Sequence, residues 1–129
     1  MNARSTGKPF NTPLHEAVLH HADATIKLLL DQNADYSILN NNQCTAVDLL
    51  DDIDALMMFI DAGLPVDWRG KDGMTLLHYA VLANDAERVE YLLGKHCLVD
   101  AQNINGDTPL HLASFYKLAN IVRLLLQSH

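Results

Sequence analysis

The tetrapeptide Thr12-Pro13-Leu14-His15 recurs unchanged as Thr108-Pro109-Leu110-His111. Two weaker copies lie between them, Thr45-Ala46-Val47-Asp48 and Thr75-Leu76-Leu77-His78. The threonines of successive copies are 33, 30 and 33 residues apart, and a period of this length is typical of stacked helix pairs. The chain is therefore predicted to be a repeat protein, in which each unit contacts only its neighbours and a long surface is left free to hold other proteins.

Composition and charge restrict the classes of function. The chain has 129 residues, of which 49% are hydrophobic, and this is enough for one domain with a buried core. Its net charge of −7 repels phosphate backbones and anionic lipids. We therefore expect another protein as the partner, with a basic or mixed-charge face, and neither nucleic acid nor a membrane surface.

Membrane insertion and secretion are not expected. The longest apolar run, residues 55–60, is far shorter than the ~20 residues that cross a bilayer. Residues 1–8 lack the apolar stretch of a secretory signal. The two cysteines, Cys44 and Cys97, stand about two repeats apart, so both thiols are expected to be free. These observations predict a cytoplasmic or, more broadly, intracellular protein.

Each repeat carries the pattern of two helices. Thr12, Thr45, Thr75 and Thr108 are predicted N-caps, because a threonine hydroxyl accepts hydrogen bonds from backbone N–H groups at a helix start. Apolar residues at helical spacing then form a first stripe: Leu14, Ala17 and Val18, then Leu77, Ala80 and Val81, then Leu110 and Ala113. A second stripe marks the second helix: Ile26, Leu29 and Leu30, then Leu56, Phe59 and Ile60, then Val89, Leu92 and Leu93, then Val122, Leu125 and Leu126.

The segments between repeats carry turn signals. Asp72-Gly73 and Asn105-Gly106 favour tight hairpin turns in which both residues have positive φ. Asn41-Asn42-Gln43 stands at the matching place after the first repeat and lacks the glycine. We therefore predict that this first hairpin is more strained or more mobile than the other two.

The second repeat departs from the others. It has Asp48 where the other repeats have histidine, and it is three residues shorter between Thr45 and Phe59. The shortening falls around residues 51–54, three of which are aspartates. It predicts a first helix of about two turns, followed by an acidic turn that moves locally.

Together these residues resemble the ankyrin repeat. The signature Thr-Pro-Leu-His-x-Ala with a period of 33 residues is matched in full at residues 12–17 and 108–113. Residues 75–80 match it except that Leu76 replaces the proline. The resemblance implies an all-α fold, a solenoid of helix-turn-helix units joined by β-hairpin-like loops. It places repeats at about 12–44, 45–74, 75–107 and 108–129, after an N-terminal tail or partial cap at residues 1–11. It also implies that His15, His78 and His111 hydrogen-bond across the helix start and the hairpin and so tie the repeats together.

The resemblance further implies a binding face made of the hairpin tips and the exposed side of the first helices. Trp68 ranks first as an anchor, because tryptophan, tyrosine and arginine dominate interface energetics. The alternative is that Trp68 packs on Leu64, Pro65 and its own hairpin stem, and Tyr79, Phe115 or Tyr116 could likewise belong to the core. The predicted partner-binding residues are Leu39, Asn41, Asn42, Trp68, Arg69, Lys71, Met74, Tyr79, Ile104, Asn105, Phe115 and Tyr116.

No catalytic, metal or cofactor site is predicted. His15, His20 and His21 do not have the spacing of converging zinc ligands. The aspartates at residues 48–54 lack the calcium loop with its glycine and final glutamate and are interpreted as a solvated turn. Cys97 adjoins His96, but neighbours in sequence rarely face each other and no third orienting group is evident.

The predicted function is a non-enzymatic protein–protein interaction module, a scaffold or adaptor. Two alternatives remain open: a targeting or regulatory segment of a larger enzyme or effector, and a kinase-inhibitor-like ankyrin protein, since inhibitors of that kind also have a short first helix in their second repeat. The fourth repeat looks like an interior one, with Leu110, Leu118, Ile121 and Leu125, and predicts self-association or further repeats at the C-terminal end.

Overall fold

The computed structural model describes residues 11–127, so the predicted tail at residues 1–11 lies outside the described residues except for Asn11. This range contains the helices α1 (Pro13–Leu19), α2 (Asp23–Asp31), α3 (Ile53–Asp61), α4 (Leu76–Leu82), α5 (Ala86–Gly94), α6 (Pro109–Phe115) and α7 (Ala119–Gln127). Two single 3-10 turns, Val47–Leu49 and Lys71–Gly73, complete it. In the same range there is no strand, only an isolated antiparallel bridge between Arg69 and Thr75. The all-α prediction is confirmed.

Three of the four predicted helix starts are confirmed. The hydroxyls of Thr12, Thr75 and Thr108 each accept a hydrogen bond, at 3.2 Å, from the backbone N–H of the histidine three residues later. Each histidine side chain in turn accepts from the N–H of its threonine, which completes a capping box. A cap of this kind stabilises a helix by ~1 kcal/mol, so these local bonds determine where α1, α4 and α6 begin.

The first helix of the second repeat is shorter than predicted. Thr45 still accepts from the N–H of Asp48 at 3.3 Å, and the Asp48 carboxylate accepts from the N–H of Thr45 at 2.9 Å. The chain then forms only the 3-10 turn Val47–Leu49, and Leu50 is extended and buried. The prediction of about two turns is wrong, because a chain shortened by three residues must leave the helix early to reach Asp52, the N-cap of α3. Local mobility of this turn stays a prediction.

The chain divides into two compact units, one ending at Gly63 and the other beginning at Leu64. In the first unit α1 packs against α2, and α2 against α3. In the second unit α4 packs against α5 and α6, and α7 packs against α5 and α6. The most deeply buried core residues include Leu14, Val18, Ile26, Leu56 and Phe59 in the first unit and Leu77, Ala80, Val81, Val89, Leu92 and Ile121 in the second.

The predicted second stripe shifts in the fourth repeat. On α7, Ile121 and Leu125 are buried, Val122 is half-buried and Leu126 is exposed. The core position predicted for Leu126 is therefore wrong. Among the described residues no later helix covers that side of α7, so the apolar pattern alone could not distinguish the covered side from the open one.

Candidate protein-binding surface

Two buried histidines join the start of a first helix to the hairpin that follows the repeat. His15 and His78 are almost fully buried, and the Nδ1 atom of each accepts from the N–H of the capping threonine at 3.0 Å. Because Nδ1 accepts, the ring proton is on Nε2, which donates to the carbonyl oxygens of Cys44 at 2.9 Å and Asp107 at 2.8 Å. Burial lowers the pKa of His78 and so favours the neutral ring that these bonds require. His111 accepts from its threonine in the same way but is exposed, so the linking role is confirmed for two of the three histidines.

An asparagine organises two of the hairpin tips. The Oδ1 atom of Asn40 accepts from the N–H groups of Asn42 at 2.8 Å and Cys44 at 3.1 Å. Asn103 makes the equivalent two bonds at 2.9 and 3.0 Å. This role was missed from the sequence, although a signal was present, since both asparagines stand five residues before a capping threonine.

The backbone conformation differs among the three tips. Asp72 and Gly73 have φ values of 59° and 72°, which confirms the turn predicted there. In the third hairpin Gly106 has a φ of 81° but Asn105 does not have positive φ. The positive φ predicted for Asn105 is therefore wrong. A three-residue loop requires positive φ only at its last residue. In the first hairpin Gln43 takes that place with a φ of 64°. Because Asp72 of the second hairpin is also a non-glycine residue with positive φ, greater strain or mobility of the first hairpin stays a prediction.

Hydrogen bonds connect the two hairpins of the second unit. The Arg69 guanidinium donates to the carbonyl oxygen of Gln102. The N–H of Ile104 donates to the carbonyl oxygen of Asp72 at 2.8 Å. The Sδ atom of Met74, which is half-buried, accepts from an asparagine amide of the next hairpin at 3.4 Å. Arg69 and Met74 thus hold the tips together, while the side chain of Ile104 is 73% exposed at the third tip, followed by the exposed Asn105.

Large apolar side chains are exposed at the ends of the first helices. Leu19, Leu82 and Phe115 each stand seven residues after a capping threonine, and they are 46%, 43% and 76% exposed. Tyr116 follows Phe115 and is 54% exposed, and the two rings meet edge to face with centroids 4.9 Å apart. Tyr79, one turn earlier than Leu82 on α4, is half-buried. In the second unit, Leu82 and Phe115 end two helices that pack against each other.

The side chain of Trp68 is less exposed than a binding anchor requires. It is half-buried, and its indole Nε1 atom is enclosed by protein. Its backbone N–H donates to the carbonyl oxygen of Pro65 at 3.1 Å. These observations favour the alternative in which the tryptophan packs against its own loop. Lys71, by contrast, is exposed.

The remaining predicted residues lie in the first unit. Leu39, Asn41 and Asn42 are all exposed around the first hairpin tip. The other nine predicted residues belong to the second unit. The contacts described above bring Arg69, Met74 and Ile104 together at the two hairpins of the second unit. They also pair Phe115 with Tyr116 at the end of α6.

One group of side chains in the described range has the composition of a metal site. The Nδ1 atom of His21 lies 3.5 Å from a carboxylate oxygen of Asp51 and of Asp52, and the three ligand atoms lie within 4.8 Å of one another. The three residues are exposed or half-buried, and polar contacts between the imidazole and the two carboxylates account for the same arrangement. The proximity of this histidine to the aspartates was not predicted from the sequence.

The cysteine considered as a nucleophile is not activated. Burial, together with the nearby Asp67 carboxylate, raises the pKa of the Cys97 thiol to about 11, and the reactive species is the thiolate. Cys44 and Cys97 are both free, as predicted.

Comparison with known protein families shows which family the chain belongs to. A family model described as ankyrin repeats (3 copies) matches residues 43–129, and a single ankyrin repeat matches residues 10–41. The chain belongs to the ankyrin repeat family. Ankyrin repeats are protein–protein interaction modules and are typically non-catalytic. Within residues 11–127, none of the ankyrin helices combines the length and apolar character that a membrane crossing requires.

Curated relatives share the ankyrin region over part of their length. The B-cell lymphoma 3 protein homolog of Mus musculus is 29% identical over 125 residues, which are 91% of this chain and 28% of that protein. A putative ankyrin repeat protein of Acanthamoeba polyphaga mimivirus is 35% identical over 82 residues, 64% of this chain and 11% of that protein. The transient receptor potential cation channel subfamily A member 1 homolog of Caenorhabditis elegans is 44% identical over 57 residues, 44% of this chain and 5% of the channel. The chain thus spans only a minor part of each of these relatives.

Proposed function

We propose that this ankyrin repeat chain is a cytoplasmic adaptor or scaffold that binds a partner protein through its hairpin tips and the ends of its first helices. The observation that carries the proposal is the repeated exposure of a large apolar residue at the last position of a first helix, at Leu19, Leu82 and Phe115. Exposed apolar groups contribute little to the stability of the free chain. Burying them against a partner gains about 25 cal/mol per Å².

Preorganisation is the proposed mechanism of binding. His78 and Arg69 hold the hairpins of the second unit in place before a partner arrives, so little conformational entropy is lost on association. A few buried anchors then supply most of the affinity. Phe115 and Tyr116 rank ahead of Trp68 as anchors because their rings are more exposed. The proposal includes no nucleic acid, no cofactor and no catalytic step.

Photocrosslinking tests this surface directly. A photoreactive phenylalanine analogue in place of Phe115 should crosslink to a partner in an extract of the source cells. The same analogue at Leu126 is the control, since Leu126 is also a large apolar residue, 56% exposed on α7. Unlabelled chain should compete for the crosslink, whereas the double variant Phe115→Ser and Tyr116→Ser should not. Exposed substitutions of this kind usually change stability by less than about 0.5 kcal/mol, so the variant should remain folded.

Two results would contradict the proposed surface. The first is equal crosslinking from Phe115 and Leu126, and the second is undiminished competition by the folded double variant. Either would show that the aromatic pair does not contribute to the interface.

A second candidate function is a targeting or regulatory ankyrin segment within a longer protein. The small matched shares of the curated relatives, down to 5% of the channel, favour it. Sequencing the full transcript distinguishes the two candidates, because the second requires a catalytic or channel region outside the repeats.

A further inference from the structure

The first unit has a groove between the C-terminal ends of α2 and α3. Its volume is about 130 Å³, and it is lined by Lys27, Leu30, Asp31, Met58, Asp61 and Ala62. Pockets that enclose small molecules have volumes of roughly 300–1,000 Å³. The groove is therefore too small for a cofactor but has room for one side chain of a larger partner.

Negative charge is concentrated in residues 11–63, the described part of the first unit, where this groove lies. Residues 11–63 contain nine carboxylates and one cation, Lys27, which gives a net charge of −8. Residues 64–129 contain seven carboxylates and six cations, which gives a net charge of −1. Asp31 and Asp61 are the last residues of α2 and α3. A helix C-terminus already carries a partial charge of about −0.5, so two carboxylates and two helix ends combine in one place.

The two aspartates destabilise the C-terminal ends of their helices. The second helices of the second unit have no such residue at their C-terminal ends. Acidic residues are unfavourable at a helix C-terminus, and neither helix has a basic residue in its last turn. The corresponding last residues of α5 and α7, Gly94 and Gln127, are uncharged. Lys27 compensates weakly, because its Nζ atom is 3.9 Å from the Asp31 carboxylate and both side chains are well exposed.

We propose that this groove docks a basic segment of a partner protein, with a lysine or arginine side chain between Asp31 and Asp61. The alkyl part of that side chain packs against Leu30 and Met58, in the way that long cationic side chains cover apolar surface. Its charged end takes the place of Lys27 beside Asp31. The site lies on the second helices and is independent of the proposed surface at the hairpin tips and first-helix ends.

A peptide titration tests the groove. The probe is an acetylated, amidated peptide of alternating lysine and leucine, added to the full chain and followed by amide NMR shifts. We expect shifts at residues 27–31 and 58–62, with binding that weakens as salt screens the charges. The variant Asp61→Asn should raise Kd about 1.4- to fivefold, the range measured for an exposed ion pair. Lys27→Gln should lower Kd by a similar factor because it removes the competing cation.

Matched controls separate the groove from overall charge. Asp54→Asn makes the same charge change at the opposite end of α3, and Lys95→Gln makes the same change as Lys27→Gln in the second unit; neither should change Kd. Asp31→Asn gives a second groove variant, and the melting temperature of each variant reports its folding. Equal weakening by Asp54→Asn and Asp61→Asn, binding of a glutamate–leucine peptide as tight as the lysine peptide, or shifts confined to the hairpin tips would each overturn the proposal.

Discussion

Replacing Gln43 by glycine should stabilise the first unit. Gln43 closes its hairpin at a φ of 64°, with its N–H donating to the carbonyl oxygen of Asn40 at 3.0 Å. An L-residue in the left-handed region costs ~1–2 kcal/mol, and glycine removes this cost. The greater freedom of glycine in the unfolded chain reduces the gain in stability by ~0.5–1 kcal/mol. The side chain of Gln43 is exposed, so little packing is lost. The free energy of unfolding should therefore rise by about 0.5–1 kcal/mol for Gln43→Gly.

The third hairpin supplies the reciprocal control. Gly106 has a φ of 81°, and a Cβ atom there would meet no other atom within 4 Å. Gly106→Ala therefore carries only the conformational cost, which by the same two contributions is about 0.5–1 kcal/mol. Urea unfolding followed by circular dichroism measures both variants, and the expected gain for Gln43→Gly corresponds to a rise of roughly 2–5 °C in melting temperature. An unchanged or lower stability for Gln43→Gly would refute the assignment of strain to this residue.

Three further predictions concern a glycine, a histidine and a cysteine. Gly73→Ala should destabilise the chain by more than Gly106→Ala, since its Cβ atom would also lie 3.2 Å from the backbone nitrogen of Ile104; equal losses in urea unfolding would contradict this. Burial lowers the pKa of His78 below its ordinary 6.5, so the unfolded chain binds more protons than the folded chain. The stability present above pH 6.5 should therefore be lost as the pH falls through the folded-state pKa. His78→Gln should flatten this dependence of the free energy of unfolding on pH. Because the pKa of Cys97 is raised to about 11, its alkylation by iodoacetamide should be slow at neutral pH and accelerate toward that value; rapid alkylation of Cys97 at neutral pH would contradict the raised pKa.

Helix starts could be predicted from the sequence because capping is local. Thr12, Thr75 and Thr108 need only a histidine three residues later and a favourable backbone to begin a helix. The end of the helical segment after Thr45 could not be predicted in the same way. It depends on the burial of Leu50 in the core, and core packing is a property of the folded chain.

The candidate site was less predictable than the fold. Residue type indicated Trp68 as an anchor, but type does not reveal that the indole Nε1 atom is enclosed. The sequence also gave no sign that Arg88 is buried, with its Nε atom 3.0 Å from the Asp85 carboxylate. The approach of His21 to Asp51 joins two loops from different repeats, and helix periodicity does not determine how such loops fold.

Hydrogen–deuterium exchange of the chain, alone and bound to the protein captured through Phe115, tests the central claim most directly. If the hairpin tips and first-helix ends hold the partner, exchange should slow at residues 103–107 and 112–117 in the complex and stay unchanged in α5 and α7. Protection confined to α5 and α7, with unchanged exchange at the tips, would contradict the account.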